Sequence, residues 1–187
     1  MSPRYVETTV TFLAMSTPPR HFPPMPASPR LALMKAENIP LDFYRYLYQA
    51  VGENWLWFER FVLDDAALAQ KVHRKGIEIS VLYANGAPAG YFELDFKDSL
   101  HTNLAYFGLV PDWTGAKIGP WLLGCAIAEG FSRGARELTV NTCTLDHRAA
   151  LPLYQRLGFR PVRQELRRLT VPPDVTIPGH IAARMTP

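Results

Sequence analysis

The sequence predicts an α/β domain, with a mixed, mostly antiparallel central sheet flanked by helices. Three observations carry that expectation. Asn85-Gly86 joins two runs of strand character, the signature of a two-residue hairpin turn. A further strand, a glycine-bearing loop and a long apolar helix then follow in order, opening one β-loop-α-β crossover after the meander. Of 187 residues 48% are apolar, enough to bury a sizeable core under such a sheet.

Taken in order, residues 8–15 are β-branched and aromatic and read as a strand. Residues 18–29 hold six prolines in twelve positions, which excludes regular structure and gives a stiff extended connector. Residues 31–35 read as a second short strand. Over 41–51 apolar and aromatic residues recur at helical spacing, and Gly52 stops the helix. Asn54-Trp-Leu-Trp-Phe58 is an aromatic cluster between helices. Asp64 or Asp65 caps a second helix running to about Lys75, with Gly76 as its stop. The hairpin strands span 77–84 and 89–96. Phe92, Leu94 and Phe96 share one face of the return strand; Tyr91, Glu93 and Asp95 share the other, read as polar and solvated. A turn at 97–99 leads into a third strand over 100–110. A helix from about Gly119 to Arg133, a strand over 137–142, a helix over 147–157 stopped by Gly158, and one or two strands over 159–171 complete the order. The chain divides into an N-terminal strand and connector, 1–29, and a domain over 30–187.

The bulk numbers exclude several partners. A net charge of +3 falls short of a nucleic-acid-binding stripe. No apolar run reaches the length of a membrane span, and the first ten residues lack the basic-then-apolar order of a signal peptide. Two cysteines, Cys125 and Cys143, read as free thiols in a reducing cytoplasm. No His/Cys cluster has metal-ligand spacing, so no metal is expected. The expectation is a cytoplasmic protein with neither a nucleic-acid nor a membrane partner.

The chemistry rests on the loop Thr114-Gly-Ala-Lys-Ile-Gly-Pro120 between the third meander strand and the long helix. A glycine loop ahead of a helix N-terminus presents unpaired N–H groups and partial positive charge to an anion. The same glycines equally shape a plain tight turn. There is no G-x-G-x-x-G, and no Lys-Ser/Thr follows Gly119, so neither a dinucleotide fingerprint nor a P-loop fits.

Further along come Ala150, Leu153-Tyr154 and Gly158-Phe159. With Leu109-Val110-Pro111 and the loop through Gly119, these residues resemble the GNAT superfamily of acyl-CoA-dependent N-acyltransferases. The likeness extends back to about Leu31; the first strand and the proline connector lie outside it. It implies a GNAT-like sheet that splays apart at a cofactor wedge, with acetyl-CoA as cosubstrate. The pantetheine arm would run along Phe107, Leu109 and Val110 as an added strand, and the pyrophosphate would sit on the N–H groups of Gly115, Ala116, Lys117 and Gly119. It further implies Tyr154 as general acid toward the departing thiolate. Asn141 contacts the cofactor or caps its strand end.

Three departures from the family pattern stand out. Thr114 holds an Arg/Gln position and Lys117 the first glycine position, while Pro120 reads as a first-turn proline. His147 holds an asparagine position, as a polar contact or helix cap. Asn103 holds the position of the family's glutamate base and can at most orient a water; Glu93 on the neighbouring strand is the alternative, and His101 a weaker one. Cys143 shows no base partner that would make it a nucleophile.

The resemblance therefore implies an acetyltransferase acting on a primary amine by direct transfer. The acceptor is a small molecule or a peptide amine, beneath 41–75 with Trp55 and Trp57 lining its site. The departures motivate a rival reading, a non-catalytic acyl-CoA-binding or regulatory module. An N-terminal strand left unpaired would suit a homodimer or another structural partner.

Overall fold

A computed structural model of the protein describes residues 4–98 and 100–183. Seven strands form one sheet, β1 (Arg4–Met15), β2 (Leu31–Ala36), β3 (Ile77–Ala84), β4 (Ala87–Phe96), β5 (His101–Leu109), β6 (Glu137–Cys143) and β7 (Arg160–Val171), in the order β2-β3-β4-β5-β6-β1-β7. Every neighbouring pair is antiparallel except β5–β6. The hairpin turn at Asn85-Gly86 has positive φ at both residues, as a primed turn requires. Ser99, in the turn expected at 97–99, lies outside the described residues.

Two helical layers cover the sheet. On one face α3 (Ile118–Phe131) and α4 (Ala150–Arg156) bury Leu13, Leu82, Phe92, Leu104, Leu122, Leu138 and Phe159. On the other, α1 (Leu41–Gly52) and α2 (Asp65–Val72) bury Val81 and Tyr91 under Tyr44, Leu47 and Leu68. A short α5 (Gly179–Ala182), absent from the sequence reading, closes a third cluster with Val6, Leu56 and Leu145 through Ile181.

Helix limits moved by one to three residues. Asp64 is the cap of α2, accepting from the Ala67 N–H at 2.8 Å, and the helix ends at Val72 because His73 turns away to meet the Ile39 carbonyl at 2.8 Å. Helix α3 starts at Ile118, so Pro120 is the third helical residue, still within the turn whose N–H groups have no helical partner. Helix α4 starts at Ala150 because residues 146–149 are spent in turns, with Asp146 N–H bonded to Cys143 and Ala150 N–H to His147.

The N-terminal strand is not left unpaired. β1 lies between β6 and β7 and is hydrogen-bonded to both, with Val10–Met15 on β6 and Arg4–Ala14 on β7. It therefore offers no free edge to a second subunit. Its partners lie over a hundred positions away, beyond the reach of any local sequence pattern.

The meander face expected to be solvated is also covered. Tyr91 and Glu93 are both 0% exposed, because α1 and α2 pack over them. Burying a carboxylate requires partners, and Glu93 has two: Tyr44 donates to Oε2 at 2.7 Å and Arg60 pairs with Oε1 at 2.9 Å.

One irregularity organises the rest. β5 and β6 are paired only from His101/Glu137 to Leu104/Val140. Beyond that β5 stays with β4 as far as Leu109, while β6 stays with β1 as far as Cys143. The two strands diverge and the sheet opens. At the same level β5 carries one extra residue, Ala105, since Glu93 pairs with Tyr106 but Leu94 with Leu104. No helix among the described residues is long and apolar enough to cross a membrane.

If β1 is part of this core, Leu13→Ala, at a fully buried position, will lower unfolding stability by about 3 kcal/mol in denaturant titration. A loss typical of an exposed site would contradict its place in the sheet.

Candidate active site

The opening between β5 and β6 is a cleft of about 540 Å³. Leu104 and Val140, the last paired residues, form its floor. Phe107 and Leu109 line one wall and Asn141 the other. The loop residues Gly115, Lys117 and Gly119 close one end, and His147, Leu153 and Tyr154 another. Trp55 and Trp57 reach in from the turn after α1. A second cavity, of about 460 Å³, lies alongside; Trp55, Asp146, His147 and Arg148 line both.

The loop has the backbone an anion site needs. Gly115 has φ +88° and Lys117 φ +60°, both in the left-handed region. Lysine there costs about 1–2 kcal/mol relative to a right-handed conformation, and it brings a positive charge to the mouth. Gly119 has no tight protein neighbour: a Cβ built on it comes no nearer than 3.7 Å to Leu153 and 3.9 Å to Leu109, two residues of the cleft wall. A side chain there would enter the cleft. Gly119 thus lies beside the N–H groups of the first turn of α3, which have no helical partner.

Tyr154 is 5% exposed, with its ring edge-on to Phe107 at 6.1 Å and Phe159 at 5.8 Å. Burial first, and the charge of Asp146 second, hold its phenol well above the ordinary range. The group therefore keeps its proton at neutral pH. His147 does not cap α4, whose N-cap is Ala149 without a side-chain bond; its Nδ1 accepts from the Ala149 N–H at 3.1 Å in the turn before the helix, and its ring meets Trp55 edge-on at 5.2 Å.

The other sequence-predicted site residues fall outside the cleft lining. Val110 packs toward α1 and donates its N–H to the Ala89 carbonyl at 3.0 Å, and Ala116 packs against the α3 core. Asn103 lies where β5 and β6 are still paired, its side-chain Oδ1 accepting from the Thr139 hydroxyl at 3.0 Å. Glu93 sits behind Tyr106, engaged with Arg60 and Tyr44; burial raises its pKa, and Arg60 and Tyr44 oppose that rise. Burial, then Asp146, also push the Cys143 thiol up, the wrong direction for a nucleophile. Among the described residues no group of three or more His, Cys, Asp or Glu could hold a metal ion.

Sequence reasoning missed Tyr106, Arg148, Arg156 and Asp146, all of which line the cleft. Asp146 stands next to a residue the family pattern singles out. Its importance lies in its partner: Trp57, far away in sequence, donates its indole N–H to Oδ1 at 3.1 Å.

Comparison with known proteins bears on this geometry. The profile of the Acetyltransferase (GNAT) family matches residues 41–159, well over half the chain. The chain belongs to the GNAT acetyltransferase family. Solved structures share the GNAT fold at low identity. A GCN5-related N-acetyltransferase from Sphaerobacter thermophilus is 21% identical with a TM-score of 0.59, over 94% of this chain and 55% of that one. A GCN5-related N-acetyltransferase from Kribbella flavida is 18% identical with a TM-score of 0.56, over 94% and 60%. An aminoglycoside N-acetyltransferase in complex with CoA is 18% identical with a TM-score of 0.54, over 74% and 93%. The chain thus spans little more than half the length of the first two. No curated protein matches the sequence.

The buried phenols of this GNAT domain set an alkaline limit. Tyr44, Tyr48, Tyr91, Tyr106 and Tyr154 are all held above the ordinary value, in each case chiefly by burial. The unfolded chain ionises them near pH ~10 while the folded chain does not. Their contribution to stability is complete below that pH and is lost as pH rises above it. Tyrosinate absorbance followed with circular dichroism should therefore show these five buried phenols ionising together with the loss of structure, apart from the exposed Tyr5 and Tyr46.

Proposed function

We propose that this protein transfers the acetyl group of acetyl-CoA to a primary amine, on a small molecule or a peptide, by direct attack in a ternary complex. The observation that carries this is the convergence in one cleft of three features: a sheet opened between β5 and β6, a helix N-terminus with room at Gly119, and a protonated Tyr154.

Each part has a physical role. The backbone of β5 beyond Leu104 is free on the side facing β6 and suits a peptide-like pantetheine arm as an added strand. The first-turn N–H groups of α3, with Lys117, suit the pyrophosphate. As the amine nitrogen bonds to the acetyl carbon and the carbon–sulfur bond breaks, Tyr154 gives its proton to the sulfur, and the proton that the nitrogen sheds as the amide forms returns through water to the Tyr154 phenolate. The ammonium proton leaves beforehand to water in the open cleft; Glu93 and Asn103 do not line it, whereas Asp146 does.

Incubation with acetyl-CoA and an amine panel, followed by free-thiol release, tests the reading. Tyr154→Phe should lower kcat by about 100-fold and leave the KM for acetyl-CoA unchanged. Gly119→Glu should abolish CoA binding in calorimetry, because it fills the cleft and sets like charge against phosphate. CoA binding with no turnover on any amine, and no effect of Tyr154→Phe, would leave a non-catalytic acyl-CoA-binding module as the reading.

A further inference from the structure

The wall shared by the two cavities carries a carboxylate that no cation meets. Asp146 Oδ2 accepts from the Thr142 hydroxyl and from the Cys143 N–H, each at 2.8 Å, and Oδ1 accepts from Trp57 at 3.1 Å. Three neutral donors fix its orientation. A carboxylate has about four acceptor sites, so one on Oδ1 is left. No ion pair reaches Asp146 among the described residues.

Three cations and Asp146 line the first cleft. Lys117 stands at the loop end, where the N–H groups of α3 also point, and matches a phosphate. Arg148 and Arg156 line the cleft as well, but neither forms an ion pair with Asp146, whose charge acts on the Tyr154 phenol. That carboxylate matches an ammonium in the cleft that also holds Tyr154.

Beyond Asp146 the second cavity changes character. Thr9 and Thr11 of β1, and Thr142 and Thr144 at the end of β6, line it. Thr11 and Thr142 lie directly opposite one another in the antiparallel register. Trp55, edge-on to His180 at 5.8 Å, supplies an apolar ring face. The Thr142 hydroxyl is given to Asp146, that of Thr11 accepts from Gln164 and that of Thr144 meets Thr8, yet a hydroxyl has one donor and two acceptor positions; with a ring opposite, these groups suit a compact ligand that carries hydroxyls of its own.

We propose that Asp146 receives the ammonium of the acceptor, and that the adjoining cavity holds the acceptor's body, a small hydroxyl-bearing amine. This rests on the acetyl-transfer reading and assigns the acceptor half of that site.

Binding to the CoA complex of the full chain, measured by calorimetry, tests the assignment with three probes: glucosamine, glucose as its neutral counterpart, and cyclohexylamine as an amine without hydroxyls. Glucosamine should bind at least ~10-fold more tightly than either of the others. Asp146→Asn should abolish the preference for glucosamine over glucose while leaving CoA affinity intact. Thr9→Val, which leaves all three donors to Asp146 in place, should shrink the preference for glucosamine over cyclohexylamine. Equal weakening of glucose and glucosamine in Asp146→Asn would mark a merely structural role and overturn the proposal. So would an unchanged preference in that variant, or no preference in the wild type; the wild-type and Thr9→Val results decide if Asp146→Asn does not fold. The expected binding pattern without acetylation of any amine would uphold the ammonium site and overturn only the transfer reading.

Discussion

The parting of β5 and β6 after Leu104 and Val140 is the constraint on which the site depends. A sheet interior normally has every backbone N–H and C=O paired. Here β5 turns one edge to open space at the level of its extra residue, Ala105. The strands cannot close on each other, because each is held from outside: β5 by β4 as far as Leu109, and β6 by β1 as far as Cys143. The opening is thus a fixed feature of the sheet, and its depth suits an extended, amide-bearing ligand. β1, far from the loop in sequence, helps to keep the cleft open.

Electrostatics gives that opening a direction. Lys117 accepts a left-handed backbone that glycine would enter freely, and in return places a cation where the α3 N-terminus already attracts anions. Pro120 removes one donor, but as the third residue of α3 it leaves those of Ile118 and Gly119 in place. Asp146 adds a negative charge to the same cleft, which Arg148 and Arg156 also line. The departures from the family pattern at the loop are consistent with a re-tuned phosphate end.

Much of this was legible locally. The Asn85-Gly86 turn, the α2 cap among the two aspartates and the glycine loop are set by neighbours within a few residues, and local sequence patterns report such neighbours directly; Tyr154 came from the family resemblance. Glu93 was not legible in the same way. Alternation shows that Tyr91, Glu93 and Asp95 share a face, but not that α1 and α2 cover it, nor that Arg60 waits there. Asp146 was missed for the same reason: its role comes from Trp57 and from a cavity wall built partly by β1. The family pattern carried the half of the cleft proposed for the cofactor, whereas the half proposed for the acceptor depends on contacts between segments that no local window contains.

β1 also sets how the site comes apart. β7 joins the sheet through β1 alone, and β6 is paired with β1 along the stretch that borders the cleft. A local opening that frees β1 would release β7, remove Thr9 and Thr11 from the second cavity, and unfasten the outer edge of β6. On this pairing the three strands would open together, as one unit in the sense of native-state exchange. The free energy of that opening is then a property of the site as much as of the fold, and any ligand bound only to the closed form raises it by mass action.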